Sequence, residues 1–388
     1  MNDELTQQTT AVRAALETDA QHGAVVPPIH LTSTFAFSGF GQKGAYDYSR
    51  SGNPTRDALA GALAALEGGA GAVVTSSGMA AVALVTELFR PQQLAVVPHD
   101  CYGGTYRLFN ALRERGSLDV RFVDYQQAAE LDAALAARPA LLWIETPSNP
   151  LLRIVDIARL AAAGRAAGAL VVADNTFLSP VWQRPLEFGV DAVVHSTTKY
   201  LNGHSDVVGG AVIAARAELH ERLAWWANCV GSTGAPFDSY LTLRGLRTLH
   251  ARMRGHGEST ARVVELLARH PAVARVHYPG LPDHPGHAIA KAQQRGFGAM
   301  VSFELHGALD EVRAFLDALE LFSLAESLGG VESLVAHPAS MTHAAMDAAA
   351  RGRAGISETL VRLSVGIEDG GDLVRDLERG LAAAQGVR

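Results

Sequence analysis

Short apolar runs, each ended by small or polar residues and followed by a helical stretch, recur through the first half of the chain. Residues 72–75, 94–97, 120–123, 140–144, 169–173, 192–194 and 207–213 read as strands, being apolar nearly throughout and too short for buried helices. Runs without alternation suit strands covered on both faces. Between them, helices are predicted over 56–66, 80–89, 128–137 and 156–167. Strands alternating with helices predict the α/β class with a mainly parallel central sheet.

From about residue 241 the texture changes. Helices are predicted over 242–254, 257–268 and 309–319, and strands over 274–277, 299–303 and around Arg362. This describes a smaller α+β domain. Residues 1–60 are irregular, and Val25-Val-Pro-Pro-Ile-His30 and Asn53-Pro-Thr55 resist a helix. The predicted organisation is an N-terminal arm (1–60), a large domain (61–255) and a C-terminal domain (256–388).

In such sheets ligands gather at the carboxyl ends of the strands. Gly78, Tyr102, Asn149, Asp174 and Lys199 all stand just after predicted strands. The stretch Asp191-Ala-Val-Val-His-Ser-Thr-Thr-Lys199 sets a lysine among Ser196, Thr197 and Thr198. Partial desolvation there favours a free, nucleophilic amine. Ala169-Leu-Val-Val-Ala-Asp174 ends a neighbouring strand in a carboxylate. An amine and a carboxylate at adjacent strand ends suit pyridoxal phosphate: the lysine takes its aldehyde and the aspartate pairs with its ring nitrogen. Ser76-Ser-Gly78-Met79, between a strand and a helix, offers backbone N–H groups to a phosphate. The Tyr102 ring could cover a flat cofactor. Arg362, between alternating apolar residues, needs a partner such as a substrate carboxylate.

Charge and composition narrow the classes. The chain has 388 residues and a net charge of -7 with no long basic run, which argues against nucleic acid. Cys101 and Cys229 give neither a disulfide framework nor metal-type spacing. The start is polar, and the longest uncharged stretch, 68–86, is interrupted by Thr-Ser-Ser-Gly, so neither a signal peptide nor a membrane span is expected, and the chain is expected to be cytoplasmic. His277, His284 and His287 lack acidic or cysteine partners at ligand spacing, so no metal is expected. Ser196-Thr-Thr-Lys199 also matches the S-x-x-K of penicillin-recognising serine hydrolases. Ser205-Asp206 is followed by Val207, however, and no Lys-Thr-Gly exists.

Val26-Pro-Pro-Ile-His30, Asp47-Tyr-Ser-Arg50, Gly52-Asn-Pro-Thr-Arg56, Pro98-His-Asp-Cys-Tyr-Gly-Gly, Asp174-Asn-Thr-Phe, Ser196-Thr-Thr-Lys-Tyr-Leu-Asn-Gly-His-Ser-Asp206, Trp225-Trp-Ala-Asn228 and Glu326-Ser-Leu-Gly-Gly occur in this order. Together they resemble the Cys/Met-metabolism family of pyridoxal-phosphate enzymes, along nearly the whole chain. The resemblance implies the fold-type-I, aspartate-aminotransferase-like fold of PLP-dependent transferases, in a homotetramer built from tight dimers. It implies the cofactor on Lys199, its ring nitrogen on Asp174, Tyr102 stacked on the ring and assisting proton transfer, and Asn149 near the ring hydroxyl. Gly78, Met79, Ser196 and Thr198 would hold the phosphate, with Tyr48 and Arg50 from the neighbouring subunit, and Arg362 the substrate α-carboxylate. Methionine γ-lyases of the family typically carry cysteine where Gly104 stands, and β-lyases tyrosine where Glu326 stands. Glu326, suited to a substrate ammonium, is similar to γ-synthases and γ-lyases alike, and Arg107 resembles a γ-synthase position suited to a distal carboxylate. Ser51 departs from it, since close relatives can have a second arginine there. The implied reaction is γ-replacement on O-succinyl-L-homoserine by L-cysteine, with γ-lyase or O-acylhomoserine sulfhydrylase activity as the alternatives on this scaffold.

Overall fold

The computed structural model describes residues 5–343 and 348–387. Seven strands form the larger sheet: β1 (Gly71–Thr75), β2 (Leu94–Pro98), β3 (Asp119–Val123), β4 (Leu141–Glu145), β5 (Leu170–Asp174), β6 (Ala192–His195) and β7 (Gly210–Ala214). Their order is β1-β7-β6-β5-β4-β2-β3, and only β7 runs antiparallel to its neighbours. Side chains leave the sheet on alternate sides. On β4, Leu142 and Ile144 enter one apolar cluster while Leu141 and Trp143 enter the other. Helices cover both faces, which is why these strands are apolar without alternation, except the edge strand β3, where Asp119 and Arg121 are exposed.

The second sheet comprises β8 (Val273–His277), β9 (Met300–Leu305), β10 (Ser323–Leu324), β11 (Leu334–Ala336) and β12 (Leu360–Ser364), in the order β10-β11-β12-β9-β8. Only the β10–β11 pair is parallel. Phe303, Phe315, Leu363 and Leu377 anchor its core, with helix Gly370–Gly386 packed across it.

Three expectations about elements need correction. The first long helix runs from Pro54 to Glu67, two residues earlier than expected. Pro54 does not break it, because a first-turn residue has no intrahelical N–H bond to lose. Asn53 caps this helix through the backbone N–H groups of Thr55 and Arg56, and Gly68 closes it at φ 79°. The strand expected over 207–213 begins only at Gly210 and is antiparallel. The helices expected over 242–254 and 257–268 are instead Pro236–Leu246 and Leu249–Arg269, so the 255/256 division falls inside a helix. Gly255 and Gly257 lie inside the second of these helices, where a Cβ would stand 3.3 Å from Ile367 and 3.4 Å from Trp182. The two short strands β10 and β11 were not expected, having too few residues to show a period.

The arm carries a short helix, Gln7–Val12, pinned by Gln7 Nε2 donating to the carbonyls of Leu66 and Pro180 at 2.9 and 2.8 Å. Beyond it, Leu31, Phe37 and Phe40 are exposed.

Candidate active site

A cavity of about 440 Å³ opens at the carboxyl ends of β4, β5 and β6 and reaches Arg362 of β12. Each strand delivers one group. β5 ends in Asp174, whose Oδ1 accepts the Thr176 backbone N–H at 2.9 Å. β6 leads into Ser196, whose own N–H donates to Thr176 Oγ1 at 2.9 Å, so one threonine ties the two strand ends together. The helix Gly78–Thr86 points its N-terminus at the same space, capped by Ser77 Oγ, which accepts the Ala80 N–H at 3.0 Å. Gly78 is required by crowding: a Cβ there would lie 2.7 Å from Ser196 Cβ. Thr198 Oγ1 is fixed by the Gly209 N–H at 3.0 Å.

Lys199 enters from the turn after β6, and its Nζ donates to Ser327 Oγ at 2.7 Å. Burial, then the Arg362 guanidinium, lowers its pKa from 10.5 to about 8, while Glu326 pulls it back up. Ser327 holds an unusual φ of 93° for a residue with a side chain, a strained conformation of the kind concentrated at functional sites. Its carbonyl accepts Arg362 Nη2 at 3.0 Å, and Asn149 Oδ1 accepts Arg362 Nη1 at 2.9 Å. Arg362 is 3% exposed and its Nε has no protein partner, so a buried donor remains for a ligand anion. Burial lowers the Arg362 pKa to about 10.

Tyr102, Met79 and Glu326 complete the wall. The remaining predicted residues lie elsewhere. Arg107 is exposed on helix Gly103–Glu114 and does not line the cavity, though its charge still lowers the Tyr102 pKa against the upward push of burial. Tyr48 and Arg50 are on the exposed arm, outside this chain's own cavity, with Arg50 Nη1 donating to the Asn228 carbonyl and Oδ1 at 2.7 and 2.9 Å. Glu145, Ser77, Thr176, Ser327 and Thr342 also line the cavity. Ser77, Thr176 and Ser327 stand in stretches quoted above, without a side-chain role of their own; Glu145 and Thr342 are additions. Glu145 carries the same signal as Asp174, a carboxylate ending an apolar run. Ser327 shows only its place beside Glu326 in a stretch shared with the family. Among the described residues no group of three His, Cys, Asp or Glu side chains is arranged to hold a metal.

The model of the Cys/Met metabolism PLP-dependent enzymes matches residues 8–382. The chain belongs to that family. It is 58% identical over 379 residues to cystathionine gamma-synthase of Escherichia coli K12, covering 97% of this chain and 98% of that one. A cystathionine beta-lyase of Coxiella burnetii is 48% identical over 375 residues, 96% of this chain and 97% of its own. Among solved structures, cystathionine gamma synthase of Xanthomonas oryzae pv. oryzae in complex with cystathionine superposes with a TM-score of 0.98 at 59% identity, covering 99% of this chain and 100% of that one. The family match displaces the serine-hydrolase reading of Ser196 and Lys199, and the fold is that of the type I PLP-dependent enzymes.

The residues present fit the family's cofactor. Asp100, Glu67 and Asp191 are paired with Arg153, His195 and Arg216, but among the described residues Asp174 makes no ion pair and feels a cationic side chain only through the more distant His195. Burial raises its pKa, opposed by the Thr176 bonds, as expected of an acid awaiting a positive ring nitrogen. A capped helix N-terminus, a crowded glycine and a desolvated amine supply the other contacts pyridoxal phosphate needs.

Proposed function

We propose that this chain carries out γ-replacement on O-succinyl-L-homoserine, exchanging succinate for the thiol of L-cysteine to give L-cystathionine, as in methionine biosynthesis by transsulfuration. One observation carries the reading: a desolvated amine, a buried arginine and a free glutamate (Lys199, Arg362 and Glu326) meet in one cavity of a chain 58% identical to a cystathionine gamma-synthase. Pyridoxal phosphate, when bound, supplies an aldehyde for amines and a ring that withdraws electrons from Cα. Lys199 Nζ takes the Cα proton and later returns protons to the product carbons. Arg362, held by Asn149 and Ser327, grips the α-carboxylate and so orients the Cα–H bond toward Lys199. Asp174 would hold the ring nitrogen in its protonated form, Asn149 would meet the ring hydroxyl, and Gly78, Met79, Ser196 and Thr198 would hold the phosphate. Tyr102 would cover the ring and assist proton transfer. Glu326 takes the ammonium of the incoming amino acid, and Arg107 the distal carboxylate of the succinyl group.

The family relatives include lyases, so the outcome of the reaction is what must be tested. Product analysis with O-succinylhomoserine plus cysteine, plus sulfide and with no thiol, and with cystathionine alone, separates synthase from lyase and sulfhydrylase. Cystathionine formed only in the first mixture is the expected result; efficient cleavage of cystathionine would overturn it. Lys199→Ala should abolish turnover, and normal turnover in that variant would remove Lys199 from its role.

The proposed assembly is a homotetramer of tight dimers in the cytoplasm, with residues 1–60 as an arm and domains over 61–255 and 256–388. The exposed Leu31, Phe37 and Phe40 give the arm apolar surface to bury, and Tyr48 and Arg50 would then reach a neighbour's phosphate site. Among the described residues no helix is long and apolar enough to cross a membrane.

A further inference from the structure

Glu145 has no part in the reaction as set out above, yet it stands in the cavity wall. It ends β4 in register with Asp174 on β5, and paired residues of neighbouring parallel strands face the same side. Glu145 is 8% exposed, and among the described residues it has no cationic partner. The fold thus sets two carboxyl groups side by side where a single ring nitrogen is to be held. One positive charge can balance only one of them, and an unpaired buried carboxylate is far costlier than a carboxylic acid.

The second observation is what Glu145 holds. The Tyr102 backbone N–H lies 3.0 and 2.9 Å from its two carboxyl oxygens. Tyr102 is the first residue of the turn into helix Gly103–Glu114, and it provides no side-chain cap of its own. Glu145 therefore supplies the cap from the neighbouring strand. That fixes the backbone beneath the aromatic ring, and the ring has little room: a Cβ on Gly104 would lie 2.5 Å from Tyr102 Cε1.

We propose that Glu145 is a positioning residue for this reaction, a neutral carboxylic acid that holds Tyr102 over the cofactor ring through its backbone amide and leaves Asp174 as the only negative charge facing the ring nitrogen. Burial first, and the neighbouring Asp174 second, push the Glu145 carboxyl well above the usual range; Asp100 adds to the rise, and the backbone N–H groups of Tyr102 and Asn149 oppose it without reversing it. The inference rests on the reading of the cavity as the cofactor site.

The test uses purified holoenzyme of Glu145→Ala, Glu145→Gln and, as a control on the site itself, Lys199→Ala. Glu145→Ala should lower kcat for γ-replacement by about tenfold or more, with a shifted visible cofactor band, because the ring is released from its position. Glu145→Gln keeps an oxygen for the Tyr102 N–H and carries no charge. It should recover most of that loss and leave the pH dependence of the cofactor band where the native enzyme has it. Glutamine as damaging as alanine, or a displaced pH profile in the glutamine variant, would overturn the neutral-acid role. An alanine variant with native kcat and spectrum would overturn the positioning role. Should Glu145→Ala not fold, the pH profile of Glu145→Gln decides alone. Retention of the cofactor band and turnover in Lys199→Ala would instead sink the site reading, whatever the Glu145 variants do.

Discussion

In the cofactor-free enzyme, the reactivity of Lys199 should stop rising near pH 8, where an ordinary lysine would still be almost wholly charged. Burial and the Arg362 charge bring its pKa from 10.5 to about 8. At pH 8 about half of the Lys199 amine is then free, against about 0.3% of an unperturbed lysine, an advantage of about 150-fold in the reacting form. The sign follows from the charge type: desolvation penalises the ammonium, so the proton leaves earlier and the amine is available at lower pH. The assay mixes apoenzyme with pyridoxal phosphate and follows the visible band by stopped flow from pH 6.5 to 10. Dividing each rate by that of Nα-acetyl-lysine at the same pH cancels the titrations of the aldehyde itself. The quotient should be flat below pH 8 and fall about tenfold per pH unit above it, until the free lysine also deprotonates. Glu326→Gln, which removes the opposing charge, should move the break to lower pH. A quotient that stays level to pH 10 would refute the claim that burial has tuned this amine.

Arg362→Lys keeps the charge but loses the fork shared by Asn149 and Ser327, so KM for O-succinylhomoserine should rise by about 10- to 100-fold with a smaller loss in kcat; an unchanged KM in steady-state assays would speak against the carboxylate role. Gly78→Ala forces a Cβ to within 2.7 Å of Ser196 Cβ, and the repacking, about 1–3 kcal/mol, should weaken pyridoxal phosphate binding by about 5- to 150-fold in a titration of apoenzyme. Asn53→Ala removes the cap of helix Pro54–Glu67 together with the Nδ2 bond to the His30 carbonyl at 2.9 Å. It should cost about 1–2 kcal/mol in urea unfolding and loosen the arm to proteolysis, with activity falling only as the arm detaches.

The elements of the larger sheet are legible because every strand but the edge strand β3 is a short apolar run buried nearly throughout, and because ligand groups crowd at strand ends. That logic singles out Asp174, Lys199 and Gly78, which line one cavity. The same logic applied to Glu145, whose run Ala140-Leu-Leu-Trp-Ile144 also ends in an acid. Sequence gives it no separate role, because nothing there shows that two strands lie in register. Ser327 was illegible for a different reason. Its place depends on a backbone angle that no side-chain pattern announces, in a loop that reaches the amine from 128 positions away. The missed start at Pro54 shows the limit of a local rule, since proline breaks a helix only where an N–H bond would have been made.

The charges of the cavity are sorted in space, and this sorting is what joins the separate residues into one site. Lys199 and Arg362 share Ser327, one through its hydroxyl and the other through its carbonyl, so the two cations lie close enough for Arg362 to depress the Lys199 pKa. Glu145 and Asp174 stand in register on β4 and β5, while a third acid, Glu326, lies beside the two cations and opposes their effect. Burial and neighbouring like charge bring the Lys199 pKa down to about 8 and push the Glu145 carboxyl up before anything binds. A flat ring with an electron-poor nitrogen and an aldehyde on its far side then answers both ends at once. A cavity built only to bind an amino acid would have no use for the acid end, and one built only to bind a cation would have no use for the amine.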